Sequence, residues 1–417
     1  MSDTPYDEHF VSWFRAVTPY INAFRGKTFV IAFGGKAVAS EFAKTLAYDV
    51  NLLVSLGIRL VLVHGARPQI EEELREKNLE SVYHRGYRVT DAETLDCVLD
   101  AVGSVYLEIE AMLSQGLPNT PMANSRIRVI GGNFITGQPI GVLDGIDMHY
   151  AGKVRKVDAE GINAQLGLGN IVLLNCEGPS PTGEIFNLQM EEAAEAVAAA
   201  LKADKLVYLT DSRGVTNPGG ELLDAMTADE VAEIIKSGEW LSPDIRRYLP
   251  CAERASRAGV GRVHLIGFEQ DGALLRELFT HDGVGTVVTR ESLENIREAK
   301  PDDIGALIAL IEPMEEEGIL VHRPRELLER EIEHFSIMEH DGIIVGCAAL
   351  YRHSDEEAEL ACLAVSAEHR EWGYGEQLMK RIERRAKKAG VKRLFVLTTR
   401  TEHWFVERGF KLGTVDD

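Results

Sequence analysis

Positive charge is scarce in this 417-residue sequence: 45 Lys and Arg stand against 66 Asp and Glu, a formal net charge of −21. That excludes a broad face built to neutralise nucleic-acid phosphates, although a local basic pocket for an anionic ligand is compatible with it. Cysteine is also scarce. The five (Cys97, Cys176, Cys251, Cys347 and Cys362) are odd in number and scattered, with no C-x-x-C pair or Cys/His cluster. A disulfide framework and a structural zinc site are therefore not expected, and no metal is assigned. No apolar run reaches the ~18 residues of a membrane span, so no membrane partner is expected. The opening residues Met1–Pro5 are acidic and polar, unlike a signal peptide, which points to a reducing cytoplasm. There is no Gly/Ser-rich linker, internal repeat or G-x-x-x-x-G-K-[ST] phosphate loop.

What is present is globular: 45% hydrophobic and 27% charged residues, on a chain too long for one ordinary core. Phe10, Phe14, Val17, Ile21 and Phe24 recur at steps of four and three, predicting an amphipathic helix over about 7–24, kinked or split at Pro19. Apolar runs then alternate with helical patterns. Strands are expected at Thr28–Phe33, Arg59–His64, Arg126–Val129, Ile171–Leu174, Leu206–Thr210, Val263–Ile266 and Val284–Thr289. Strands alternating with helices mean an α/β domain with a mostly parallel sheet covered on both faces, over about 26–288. A second domain is expected over 295–417, with a hairpin between Ile332 and Tyr351 turning at His340-Asp341-Gly342.

The most informative stretch lies in that second domain. A strand, Leu360–Val365, is followed by His369-Arg370-Glu371-Trp372-Gly373-Tyr374-Gly375, and then by a helical stripe of Leu378, Ile382 and Ala386. Glycines at the mouth of a helix let backbone approach a ligand, and the first N–H groups of the helix can receive a phosphate. A further strand is expected at Arg393–Thr398, ahead of His403–Phe410.

This set of R-x-x-G-x-G turn and flanking strands resembles the GNAT-type acyltransferase superfamily. The resemblance implies that Arg370, Glu371, Gly373, Tyr374 and Gly375, with the backbone of Cys362, Leu363, Ala364 and Val365, bind acetyl-CoA. The region 26–288 resembles the amino-acid kinase superfamily, and most of all acetylglutamate kinase. It departs from that pattern at Ala32, where a lysine is usual, at His64-Gly65-Ala66-Arg67-Pro68, and at Asn187-Leu188-Gln189-Met190-Glu191. Phosphoryl transfer depends on cations and close N–H groups, so these changes imply a kinase fold without kinase activity. The segment from His264 to Thr286 is similar to that of arginine-sensitive acetylglutamate kinases. By that resemblance arginine binds near Tyr20, Phe268, Leu274, Gly283 and Gly285, and the first helix joins subunits into a hexamer.

Kinase-like domain first and acyltransferase second resembles the two-domain bacterial N-acetylglutamate synthase family. The function implied is transfer of acetyl from acetyl-CoA to the α-amine of glutamate, regulated by arginine. An α-amine is mostly protonated at neutral pH and needs a base. Glu359 is the candidate, matching the family glutamate before A-C-L-A-V, although Glu356 and Glu357 make its approach acidic. Phe405 occupies the position where many superfamily members carry a tyrosine acid, so Thr398, matching a family hydroxyl, is the candidate acid, with Thr399 beside it. The two substrate carboxylates need cations: Arg323, by family match, and Arg400, by position. The chain stops soon after Gly409-Phe410, earlier than such domains usually do, and a truncated domain is expected. The alternatives are an acetylglutamate kinase, alone or bifunctional, and a non-catalytic arginine sensor.

Overall fold

The fold is that of a computed structural model, which describes residues 6–116, 118–280, 283–290, 294–340, 342–367, 369, 373–398 and 400–413. The chain divides into two compact units, Met1–Glu291 and Ser292–Asp417.

The amino-terminal unit is built on an eight-stranded sheet. Its order is Ala225–Thr227, Thr286–Thr289, Arg262–Gly267, Lys205–Thr210, Thr28–Phe33, Arg59–His64, Ile171–Leu174 and Val129–Ile130. Every neighbouring pair is parallel except Arg262–Gly267 with Thr286–Thr289. The strands are apolar throughout because both faces are covered. Side chains alternate across a strand, so Phe29, Ile31 and Phe33 enter one core while Val30 and Ala32 enter the other. Leu60 and Leu62 divide from Val61 and Val63 in the same way.

Two expectations change here. Tyr6–Phe24 is a single helix that continues through Pro19 rather than splitting. A proline removes one backbone donor, and the contacts of Val17, Ile21 and Phe24 with the core hold the turns on either side. Val17 in that carboxyl half is buried, whereas Phe14 is 53% and Val11 41% exposed. The strand expected at Arg126–Val129 is a two-residue edge strand, Val129–Ile130.

The carboxyl-terminal unit is a five-stranded sheet in the order Glu294–Glu298, Phe335–His340, Ile343–Arg352, Glu357–Val365 and Arg393–Phe395. The first four are antiparallel and the last pair is parallel. Helix Ile304–Glu316 covers one face through Leu307, Leu310, Ile311 and Met314. Helix Tyr374–Lys388 covers the other through Leu378, Ile382 and Ala386, the residues of the sequence stripe. The strand expected to reach Thr398 stops at Phe395, where its pairing with Glu359 ends.

Candidate active site

Strand Glu357–Val365 is the frame of the site, and its phase is interrupted. Ala358 and Leu360 face one core, whereas Cys362 and Ala364 face the other. An unbroken strand would keep all four on one face. The switch coincides with Cys362, which sits at φ +49°, and with a register shift against strand Ile343–Arg352. One bulged residue re-aims everything after it. Glu359, before the bulge, thereby shares a face with Cys362 and Ala364 after it.

On its other side the strand parts from its parallel neighbour. Pairing runs from Glu357↔Arg393 to Glu359↔Phe395 and goes no further. The backbone edge from Leu360 to Val365 is left without a ladder partner there, the splayed arrangement the sequence required for N–H donors at Cys362, Leu363, Ala364 and Val365.

Glu359 lies inside the strand, not at its entry, and its side chain is 20% exposed. Directly across the antiparallel pair stands Tyr351. Its hydroxyl is pushed up to about 12 by burial and by its hydrogen bond to Glu331, with Arg323 pulling the other way. Arg323 is therefore drawn to the face that carries Glu359. Its segment is anchored by the buried Glu315, which accepts from the Arg323 N–H at 2.9 Å and pairs with His322 Nδ1 at 2.7 Å. Glu356 and Glu357 are held by Lys392 at 2.5 Å and Arg393 at 2.6 Å, which offsets the acidity of the approach.

Thr398 lies three residues beyond the Glu359–Phe395 pair. It is exposed, and its Oγ1 sits 2.8 Å from Thr401 Oγ1 and accepts from the Thr401 N–H. Arg400 is exposed too. No hydrogen bond or ion pair joins Thr398 or Arg400 to Glu359 among the described residues. Thr399 lies outside the described residues, as do Arg370 and Glu371 of the glycine turn. Phe405 is buried against Trp404 and Phe410, an aromatic core role.

The described part of the turn is rigid for definite reasons. Gly373 caps helix Tyr374–Lys388 at φ +74°, a conformation glycine adopts freely. A Cβ on Gly375 would come within 3.3 Å of the Trp404 ring. Tyr374 is fully buried, its hydroxyl is 2.7 Å from His340 Nδ1, and its ring stacks on His369 at 5.9 Å. Ser366 Oγ lies 2.5 Å from His369 Nδ1. Sequence reasoning missed His340, His369, Tyr351, Glu331 and Glu315, because they come from two strands, two helices and the turn, and only the tertiary packing gives them their partners.

The comparisons with known proteins agree with this architecture. Residues 27–267 match the amino acid kinase family and residues 304–410 the acetyltransferase (GNAT) family. An amino-acid acetyltransferase of Ralstonia nicotianae is 50% identical over 415 residues, 99% of this chain and 92% of the relative. That of Pseudomonas aeruginosa is 50% identical over 98% of this chain and 94% of the relative. This chain belongs to the amino-acid acetyltransferase family. Among solved structures, N-acetylglutamate synthase from Neisseria gonorrhoeae complexed with coenzyme A and L-arginine is 42% identical, with a TM-score of 0.91, 98% of this chain and 95% of that one being covered. The same enzyme complexed with coenzyme A and N-acetyl-glutamate aligns with a TM-score of 0.65. As a family member this chain is an enzyme that uses acetyl-CoA. No group of three or more His, Cys, Asp or Glu among the described residues could hold a metal, and no described helix is long and apolar enough to cross a membrane.

In this acetyltransferase a side chain lies against the glycine turn that follows the first strand of the kinase-like unit. Gln69 donates to Gly35 O at 2.9 Å, and its Oε1 lies where a Cβ of Gly35 would be. Lys36 is paired with Asp211 at 3.3 Å and Arg247 with Glu191 at 3.4 Å. Ala32 is buried in the core.

Around the expected arginine residues, Phe268 and Leu274 are core side chains and Tyr20 packs against that core. Gly283 and Gly285 have a structural partner that sequence reasoning left unassigned. Glu277 accepts from the N–H groups of Val284 at 2.7 Å and Gly285 at 2.9 Å. His264 Nδ1 lies 2.7 Å from Glu277 Oε1, and Lys205 Nζ lies 3.2 Å from His264 Nε2. Ammonium donates and carboxylate accepts, so the imidazole relays between them. Burial and the Lys205 charge push the His264 imidazole down, while the His264 bond and the two N–H groups hold Glu277 below the usual carboxylate range against its burial. Burial lowers Lys205 to about 7. The Phe24 ring of the first helix covers Lys205, its centroid 5.0 Å from Nζ.

Proposed function

We propose that this enzyme transfers the acetyl group of acetyl-CoA to the α-amine of L-glutamate, and that arginine held by the amino-terminal unit regulates it. The observation that carries the reading is the juxtaposition of Arg323, Tyr351 and Glu359: a cation suited to a substrate carboxylate lies on the face of the strand that bears the base. Glu359 takes the amine proton, directly or through water. The amine attacks the thioester carbonyl, and N–H groups of the splayed edge at Cys362–Val365 receive the developing oxyanion. Thr398 returns a proton to the departing thiolate. Arg370 and Glu371, with Gly373, Tyr374 and Gly375, hold the pyrophosphate, and Arg400 faces the second carboxylate.

The effector reading is supported by chemistry and by likeness. Arginine carries a guanidinium, an ammonium and a carboxylate, and the buried Glu277 holds the loop of Val284 and Gly285 that the resemblance gives to its site. The similar synthase of Neisseria gonorrhoeae was solved with L-arginine. The exposed Phe14 and Val11 on the first helix suit a homo-oligomer, a hexamer by the resemblance to arginine-sensitive kinases. A cytoplasmic site fits a biosynthetic enzyme.

The kinase reading is opposed by Ala32 and by Gln69 over Gly35. Membership of an acetyltransferase family speaks against a purely sensory role. The deciding test is coenzyme A release across a panel of amino acids, with and without arginine. Glutamate is expected to be strongly preferred; equal rates with other amino acids would end the specificity reading, and a rate indifferent to arginine would end the regulatory one.

A further inference from the structure

The overall reaction releases a proton. An ammonium and a thioester give an amide, a thiol and one H⁺, so a base that takes the amine proton must hand it to solvent before the next turnover. Glu359 is 20% exposed, and the two residues facing it across the sheet are Tyr351 and Phe395. Neither can take a proton: Phe395 has no site for one, and the Tyr351 hydroxyl, pushed up to about 12, is already donating to Glu331.

His353 can. Its Nε2 lies 3.3 Å from Glu359 Oε2, while half of its side chain, 52%, is in solvent. The imidazole therefore reaches from the carboxylate to water. It is held there by its own N–H, which donates to Glu357 O at 3.0 Å, and by the Phe395 ring at 5.3 Å. The other charges nearby are engaged with one another: Glu357 with Arg393, Glu356 with Lys392 at 2.5 Å, and Arg352 with Asp355 at 3.4 Å.

We propose that His353 is the proton exit of the active site. Nε2 accepts the proton from protonated Glu359 and Nδ1 releases its own to water; the ring then returns to its starting tautomer through solvent, one water supplying a proton to Nδ1 while another takes the proton from Nε2. No bond other than N–H and O–H changes, and no co-reactant is needed. His353 acts through Glu359 and is a positioning and relay residue; the inference rests on Glu359 being the base.

The test uses the full chain in dilute buffer, so that buffer cannot substitute for the ring, with steady-state turnover as the readout. His353→Ala is expected to lower kcat about 10-fold, less than the about 10²–10⁴-fold worth of the base itself, with KM for acetyl-CoA unchanged. Added imidazole is expected to restore it. Glu359→Gln is expected to be slower still and deaf to imidazole. A His353→Ala protein with the wild-type rate, or one slowed but not restored by imidazole, overturns the relay while leaving the base in place. A Glu359→Gln protein with the wild-type rate overturns the base itself. Because His353 is half exposed, thermal melting of both variants separates these outcomes from misfolding.

Discussion

Tyr351 and Glu359 are directly opposed across two antiparallel strands, and Arg323 is drawn to the same face through Tyr351. Opposed side chains on one face sit about 5 Å apart at Cβ, so a substrate amine at Glu359 places a carboxylate within reach of the arginine. Replacing Glu359 by Gln, which keeps shape and removes the base, is expected to lower kcat about 10²–10⁴-fold with little change in acetyl-CoA affinity. Steady-state kinetics with both substrates varied check this.

Arg323→Ala is expected to raise KM for glutamate about 10–100-fold, the worth of a charge-assisted hydrogen bond. KM for acetyl-CoA is expected to stay as it is, because the proposed partner of Arg323 is a carboxylate of glutamate. A uniform rise in both KM values counts against the assignment.

Tyr374→Phe deletes one buried hydroxyl and leaves His340 Nδ1 without it. The expected cost is about 1–3 kcal/mol of unfolding free energy for the carboxyl-terminal unit. The same change loosens the first turn of the helix that receives pyrophosphate, so KM for acetyl-CoA rises more than kcat falls. Chemical denaturation and kinetics on one preparation measure the two effects.

Glu277→Gln keeps the volume and removes the buried charge that organises Val284, Gly285 and His264. Arginine binding measured by calorimetry is expected to weaken at least about 10-fold, as a lost charged hydrogen bond requires. Undiminished affinity places the effector elsewhere.

Asp49, on helix Phe42–Ser55, has its carboxyl pushed up to about 7 by burial and by the Asp271 charge, and its Oδ2 lacks a hydrogen-bond partner. The native state thus keeps a proton that the unfolded chain gives up near 3.8. Its contribution to stability is full below that value, falls as pH rises towards 7, and is lost above it. Asp49→Asn is expected to stabilise the enzyme by about 1–3 kcal/mol at pH 7.5 and by nothing near pH 4. Melting temperatures at the two pH values give the sign.

Much of this molecule is legible along the chain. The runs at Thr28–Phe33 and Arg59–His64 can only be doubly covered strands, and the stripe Leu378, Ile382, Ala386 can only be a helix with one buried side. The glycines at 373 and 375 mark a turn at a helix mouth. By contrast, His264, Glu277 and Lys205 are ordinary polar letters until two strands and a helix bring them together. The end of the strand at Phe395 was misjudged because Val396 and Leu397 have strand character, yet the partner strand has already diverged there.

The sequence by itself determined the two α/β units, their order and the place of the glycine turn at the helix mouth, because hydrophobic period and glycine position are local properties of the chain. The tertiary structure alone decided which side chains face Glu359. What shares its face depends on a one-residue bulge at Cys362 and on the register of the neighbouring strands; without the bulge Cys362 and Ala364 would turn to the opposite core, and a shift of one residue in register would place another side chain opposite the carboxylate.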